Sequence, residues 1–378
     1  MGILDWYGEL MANRSSKPFH YFYFSDPFSW PHESETDNVY PPSPPTARQE
    51  KKILRNKQRQ QHCKNVARQQ SRLASGNQAS TDLKEGLFQW TVRPSPQKLY
   101  DEFITQKKKK YLTKNALKQA INFISTPSFR LFDRPSNQVM IFDEHNKNRL
   151  VGLFEFIPFS SMTREELDNL DFLAEFFHDH KSFVNPVSNF NSACLGGKMN
   201  MLGWRKCMKQ DERIGLYLAL VKISKEIDRF TAVVQRGHRA GLIIGKSFKQ
   251  LADNAFQQNH EIMVEHKMPD FGDTKLDTSE GNNFSAASLV SYTYDGFYNT
   301  PHKDKRDASE FAFVQWIPTF SKTGKVATHA DGFNVQGGEF VFPDCKFGLG
   351  FEKLGRIARM VWCATEYSHF TTPLQPNS

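Results

Sequence analysis

The sequence is short of the features that mark three broad protein classes. Only five cysteines stand in 378 residues, at positions 63, 194, 207, 345 and 363. Their number is odd and no C-x-x-C pair occurs, which argues against a disulfide scaffold or disulfide-linked partner and against a sulfur-rich zinc site. No run approaches the ~18 apolar residues that a membrane span needs, although phenylalanine is abundant at 33 residues. The opening Met1-Gly2-Ile3-Leu4-Asp5-Trp6 has neither a basic n-region nor an apolar h-region, and no Ser or Thr at position 6. Neither a secretory signal nor a myristoylation site is expected. A reduced, intracellular compartment fits these absences.

Acid is scarce in one place. Between Ala47 and Arg72 lie nine Lys/Arg and a single acid, Glu50. That local surplus equals the net charge of the whole chain, +8, so the remaining residues balance. A basic arm on a neutral body suits a protein tethered to a polyanion, and equally a solvated leader with no specific partner. The arm follows an aromatic patch, Phe19-His20-Tyr21-Phe22-Tyr23-Phe24, and the stretch Pro41-Pro42-Ser43-Pro44-Pro45, which favours extended polyproline geometry. Residues 1–86 carry too little apolar content to offset ordering entropy, so a disordered leader is expected there.

The folded domain is expected over 87–378. Asn115 to Ile124 reads as a helix. Gln138 to Phe142 and Leu150 to Phe156 read as a hairpin. Thr163 and Glu166 form a capping-box pattern, followed by apolar residues at helical spacing from Leu167 to Phe177, which predicts a helix over Arg164 to His178. Further helices are expected over Glu212 to Val234 and Phe248 to Gln257. After about residue 284 the character changes. Ser288–Tyr294, Phe311–Pro318, Gly337–Pro343 and Ile357–Thr365 are rich in β-branched and aromatic residues and punctuated by Gly, Asp, Asn and Pro, as strands are. The pattern predicts an α+β fold, with helical support to about 283 and strands from 284 to 378 closing into a jelly-roll.

The strand region holds the chemistry. His302-Lys303-Asp304 follows a strand and the turn Asp295 to Pro301, and His369 stands sixty-five residues past Asp304. Two imidazoles and one carboxylate on one side of a metal make the facial triad of non-heme Fe(II) oxygenases, with the remaining positions open. A single H-x-D is weak evidence, and the chain supplies a second copy, His329-Ala330-Asp331. That copy sits in a Gly/Lys/Thr-rich loop, not directly after a strand and turn, so His302, Asp304 and His369 are the expected metal ligands.

Two decoys are set aside. Ala240 to Ser247 fits a loose phosphate-loop pattern, but it follows a helix and its middle is apolar. His178-Asp179-His180 places neighbours on different sides of a helix end.

Tyr298-Asn299-Thr300-Pro301-His302-Lys303-Asp304, Gly337-Gly338-Glu339-Phe340 and His369-Phe370-Thr371-Thr372-Pro373-Leu374 resemble the Tet/J-binding-protein group of Fe(II)/2-oxoglutarate oxygenases, in the compact form of fungal, transposon-associated members. The resemblance covers about residues 135 to 378. It implies a double-stranded β-helix core and iron held by His302, Asp304 and His369. It also implies 2-oxoglutarate and O2 as cosubstrates, DNA as partner, a nuclear location, and oxidation of a methylated base such as 5-methylcytosine. It names no catalytic side chain beyond the metal ligands. One departure stands out: the family anchors the far carboxylate of 2-oxoglutarate with an arginine beyond the second histidine, and none of the nine residues after His369 is basic. Arg359, Lys322 and Lys325 are the nearest substitutes. Two further readings therefore stay open. One is an inactive or truncated oxygenase fold of mobile-element origin. The other is a related oxygenase acting on a protein or small molecule.

Overall fold

The computed structural model describes residues 88–92, 122–133, 138–146, 149–187, 194–206, 214–274, 283–305, 307–328, 331, 335–352 and 355–374. The leader expected over 1–86 lies outside them, as does all but the last turn of the helix expected over 115–124.

A five-stranded sheet gathers both ends of the described chain. Strand β1 (Phe88–Val92) pairs in parallel with β3 (Val139–Asp143), which pairs antiparallel with β4 (Leu150–Pro158); β2 (Arg130–Phe132) belongs to another sheet. β4 continues antiparallel into β11 (Arg356–Cys363), with Phe154 opposite Met360, and β11 into β8 (Phe311–Trp316). The early hairpin is thus as expected, but it is not a separate support: it completes the sheet of the late strands. The second sheet runs β12 (Phe370–Thr371), β9 (Phe340–Phe342), β10 (Phe347–Leu349), β2. Between the two sheets Trp316 and Trp362 meet Phe340, each with ring centroids 5.2 Å apart. Much of the buried aromatic content lies in this layer.

A third sheet, β6 (Ile214–Leu216), β5 (Cys194–Lys206) and β7 (Leu289–Asn299), carries the helices. Helix α1 (Arg164–His180) begins on the complete Thr163/Glu166 capping box and runs one residue pair past its expected end. The helix expected over 212–234 is a correction. Ile214–Leu216 pairs with β5 as a strand, and helicity resumes only as a single turn, α2 (Leu220–Ile223), and then α3 (Ile227–Gln235). Edge pairing to a long neighbouring strand outweighs the weak helical pattern there. The helix expected at 248–257 is two helices, α4 (Gly237–Leu251) and α5 (Asp253–Glu265), broken where Ala252 takes φ −150°. Leu173 and Phe176 of α1 join Phe230, Val233 and Trp204 in one apolar cluster, while Phe248 of α4 stacks on Phe313 of the large sheet at 5.1 Å.

The phosphate-loop decoy is buried helix within α4. A Cβ on Gly245 would come within 1.9 Å of the Phe284 carbonyl, so this glycine is explained by close packing, not by phosphate. The ends of the strand region also depart from expectation. Asp295 and Gly296 do not end β7 but form a positive-φ kink (56° and 68°) through which the strand runs on to Asn299. Strand continuation past that kink delivers the chain to the metal-ligand pattern.

Candidate metal centre

His302 is set in place by backbone pairing. Its N–H donates to the His369 carbonyl at 3.1 Å and the His369 N–H donates back at 3.0 Å, a closed antiparallel pair between the run-out of β7 and the start of β12. The Asp304 N–H donates to the Ala364 carbonyl at 3.0 Å, at the end of β11. Asn299 adds a side-chain link, its Oδ1 accepting the Thr371 N–H at 2.7 Å. Sequence positions sixty-seven residues apart are therefore locked together by main chain.

The side chains converge. One ligand atom each from His302, Asp304 and His369 lies within 4.8 Å of the others, the grouping of this kind found among the described residues. His369 Nε2 is 3.4 Å from Asp304 Oδ2, and His302 Nε2 is 3.7 Å from Asp304 Oδ1. The other ring nitrogens point away from the centre. His302 Nδ1 lies 2.9 Å from the Thr300 carbonyl and His369 Nδ1 3.2 Å from the Tyr367 carbonyl. A carbonyl can only accept, so each contact places a proton on Nδ1; in the neutral ring the Nε2 lone pair then faces Asp304, the tautomer a metal requires. Trp362 Nε1 also lies 3.3 Å from His369 Nδ1. An indole N–H only donates, so that contact calls for the opposite tautomer; ligation through Nε2 selects the bond to Tyr367.

The two sides of the cluster differ in access. His369 is nearly enclosed, with Trp362, Phe340 and Phe342 rings 5.2, 5.5 and 6.1 Å away, whereas the His302 and Asp304 side chains keep about a third of their surface (32% and 31%). Burial pushes the Asp304 carboxyl up, but the hydrogen bond and charge of His369 and the charge of His302 outweigh it and hold it below the usual carboxylate range. Asp307, a group the sequence reading did not single out, is pushed up to about 6 by burial and the neighbouring Asp304 charge. A carboxylate and two imidazoles that converge with one open face suit a divalent metal that keeps exchangeable positions.

Of the cations considered for a dicarboxylate, Arg359 is not at the centre. Odd spacing on β11 puts it on the face opposite Trp362. There it pairs with Glu155 and donates to Ser247 Oγ of α4 at 3.0 Å. Arg356 shares the Trp362 face but stands six residues away, about 20 Å along a strand. Lys322 and Lys325 are exposed on the loop after β8.

The remaining sequence features fall elsewhere. His329 and Ala330 of the second H-x-D lie outside the described residues, and Asp331 caps its own turn, accepting from the Thr328 N–H at 2.8 Å. His178, Asp179 and His180 end α1. Asp179 pairs with Arg236 at 2.6 Å, and His180 is buried against the Tyr292 hydroxyl at 2.7 Å. Cys345 and Cys363 are free and buried. Among the described residues no helix is long and apolar enough to cross a membrane.

No curated protein matches the chain. Among solved structures, NgTET1 in complex with 5mC DNA matches at 10% sequence identity, covering 70% of this chain and 87% of that chain with a TM-score of 0.35. The family model of the Tet-like 2OG-Fe(II) oxygenase superfamily matches residues 163–374, more than half of the sequence and all three converging residues. The chain belongs to the Tet-like 2OG-Fe(II) oxygenase superfamily.

Proposed function

We propose that this protein is an Fe(II)- and 2-oxoglutarate-dependent dioxygenase that hydroxylates the methyl group of a methylated base in DNA, within a jelly-roll formed by the two facing sheets. The observation that carries the reading is the convergence of His302, Asp304 and His369, with the Nδ1 atom of each histidine set against a backbone carbonyl. Iron held there would activate O2, the oxidant, with 2-oxoglutarate as co-reductant: a methyl group, 2-oxoglutarate and O2 become a hydroxymethyl group, succinate and CO2. The protein's own part is orientation. The carboxylate and two lone pairs occupy one side, and the exposed flank of His302 and Asp304 leaves the approach to substrate. A base must leave the stack to reach that flank, at a cost of a few kcal/mol. The basic segment 47–72 adds salt-dependent backbone affinity without sequence choice, and a nuclear location suits that partner.

The test is incubation of purified protein with Fe(II), 2-oxoglutarate and 5-methylcytosine duplex DNA, reading hydroxymethylcytosine and succinate together. Succinate with hydroxymethylcytosine is the expected result. Succinate that methylated DNA does not stimulate would move the substrate to a protein or small molecule. A second reading, metal binding without turnover, rests on the position of both β11 arginines away from the centre; it predicts no succinate under any condition.

A further inference from the structure

Resting on the metal reading above, we infer that Asp143 and Tyr367 are positioning residues for His369, so that the hairpin preceding the family-matched segment takes part in building the metal centre. The match covers residues 163–374, and Asp143 lies before it, at the end of β3.

Three contacts carry the inference. His369 Nδ1 meets the Tyr367 carbonyl at 3.2 Å. The hydroxyl of the same tyrosine donates to Asp143 Oδ2 at 2.9 Å, in a bond buried on both sides. The other oxygen, Asp143 Oδ1, accepts the His145 N–H at 2.9 Å and the Asn146 N–H at 3.4 Å, so the carboxylate spans the hairpin turn and the tyrosine. Asp143 N–H donates to the Arg149 carbonyl at 3.1 Å, tying it to the second strand of the hairpin.

The logic is mechanical. Tyr367 sits in a tight turn, its N–H bonded to the Cys363 carbonyl at 3.2 Å, and reaches β12 through Ser368 and His369. A turn carbonyl has freedom to rotate unless its side chain is anchored. Asp143 supplies the anchor from across the large sheet. The carbonyl so held is in place to accept the Nδ1 proton that ligation through Nε2 requires, against the rival Trp362 N–H at 3.3 Å.

The experiment measures Co(II) affinity of the full chain by titration, with the visible spectrum of the bound ion and the melting temperature of the metal-free protein recorded in parallel. Tyr367→Phe keeps the carbonyl and removes only the hydroxyl. It is expected to weaken Co(II) binding by about tenfold, the scale of an outer-shell partner, and to alter the spectrum. Asp143→Ala is expected to do the same, and it serves as the second test should Tyr367→Phe not fold. Asp143→Asn retains an oxygen for the turn and a polar group for the hydroxyl, and is expected to recover most of the affinity. Affinity and spectrum unchanged in Tyr367→Phe or Asp143→Ala, with only the metal-free melting temperature lowered, would overturn the positioning role and leave a merely structural one. Failure of the unsubstituted protein to bind Co(II) would instead overturn the metal reading itself.

Discussion

Two regions of this protein each hold a buried histidine and an aspartate shielded at least in part from water, and they treat them in opposite ways. At the metal centre His369 is 3% exposed, and Asp304 is held below the usual carboxylate range against its burial by His369 and His302. Around the helical layer His180 is 1% exposed and Asp270 3% exposed. There burial pushes the imidazole down to about 4 and the carboxyl up to about 6. The helical pair is satisfied locally, His180 by the Tyr292 hydroxyl and Asp270 by the Gly272 N–H at 2.9 Å. Buried ionisable groups are therefore not evidence of a site by themselves. What distinguishes the metal centre is that lone pairs converge on one point while the protons are led away from it.

The contrast is sharpest under substitution. Asp304→Ala or His369→Ala is expected to lower Co(II) affinity by at least about 100-fold, beyond the range of an outer-shell partner, and to abolish product formation. Titration of the metal-free protein reads the first and mass analysis of the DNA the second. Retention of tight binding by either variant would break the comparison at its centre.

On the helical side the largest effect is on stability. Asp270 has a folded pKa of about 6, above its ordinary value of 3.8. Its contribution is fully present below about pH 4 and lost as pH rises through about 6, a swing of about 3 kcal/mol at 1.36 kcal/mol per unit. Asp270→Asn is expected to flatten that slope and to stabilise the protein at pH 8, with metal affinity unchanged. Denaturant unfolding at pH 4 and pH 8 measures it; a slope that survives the substitution would show that another group carries it.

His180→Phe comes next. It removes one partner of the Tyr292 hydroxyl, which keeps the bond donated by Asn200, at a cost of about 1–3 kcal/mol, while Co(II) affinity stays within about twofold. A large loss of affinity here would mean that the two regions are coupled. The smallest effect is expected from Thr163→Ala, which removes the α1 capping box at about 1 kcal/mol, read as a lowered melting temperature with the metal centre unmoved.

Much of this arrangement was legible before the fold. The capping box, the hairpin and the separation of one H-x-D from the other rest on local pattern, and the α1 helix and the β3–β4 pair follow it. Three features were not legible. Ile214–Leu216 has a helical surround and becomes a strand only because β5 lies beside it. Asp295-Gly296 carries turn chemistry, yet β7 continues because its partner β5 shifts register at the same place. Tyr367 and Asp143, 224 residues apart, carry no shared motif; only their hydrogen bond relates them.

Residue type and spacing were enough to name His302, Asp304 and His369 and the class of chemistry they suit, because ligand identity is a property of side chains and the strand-turn context is local. Which lone pairs face the centre, which arginine turns toward the helices, and which distant hairpin steadies the second histidine were decided by tertiary structure. Those outcomes depend on strand pairing and face alternation between segments far apart in the chain, and such long-range choices leave little trace in any one stretch of residues.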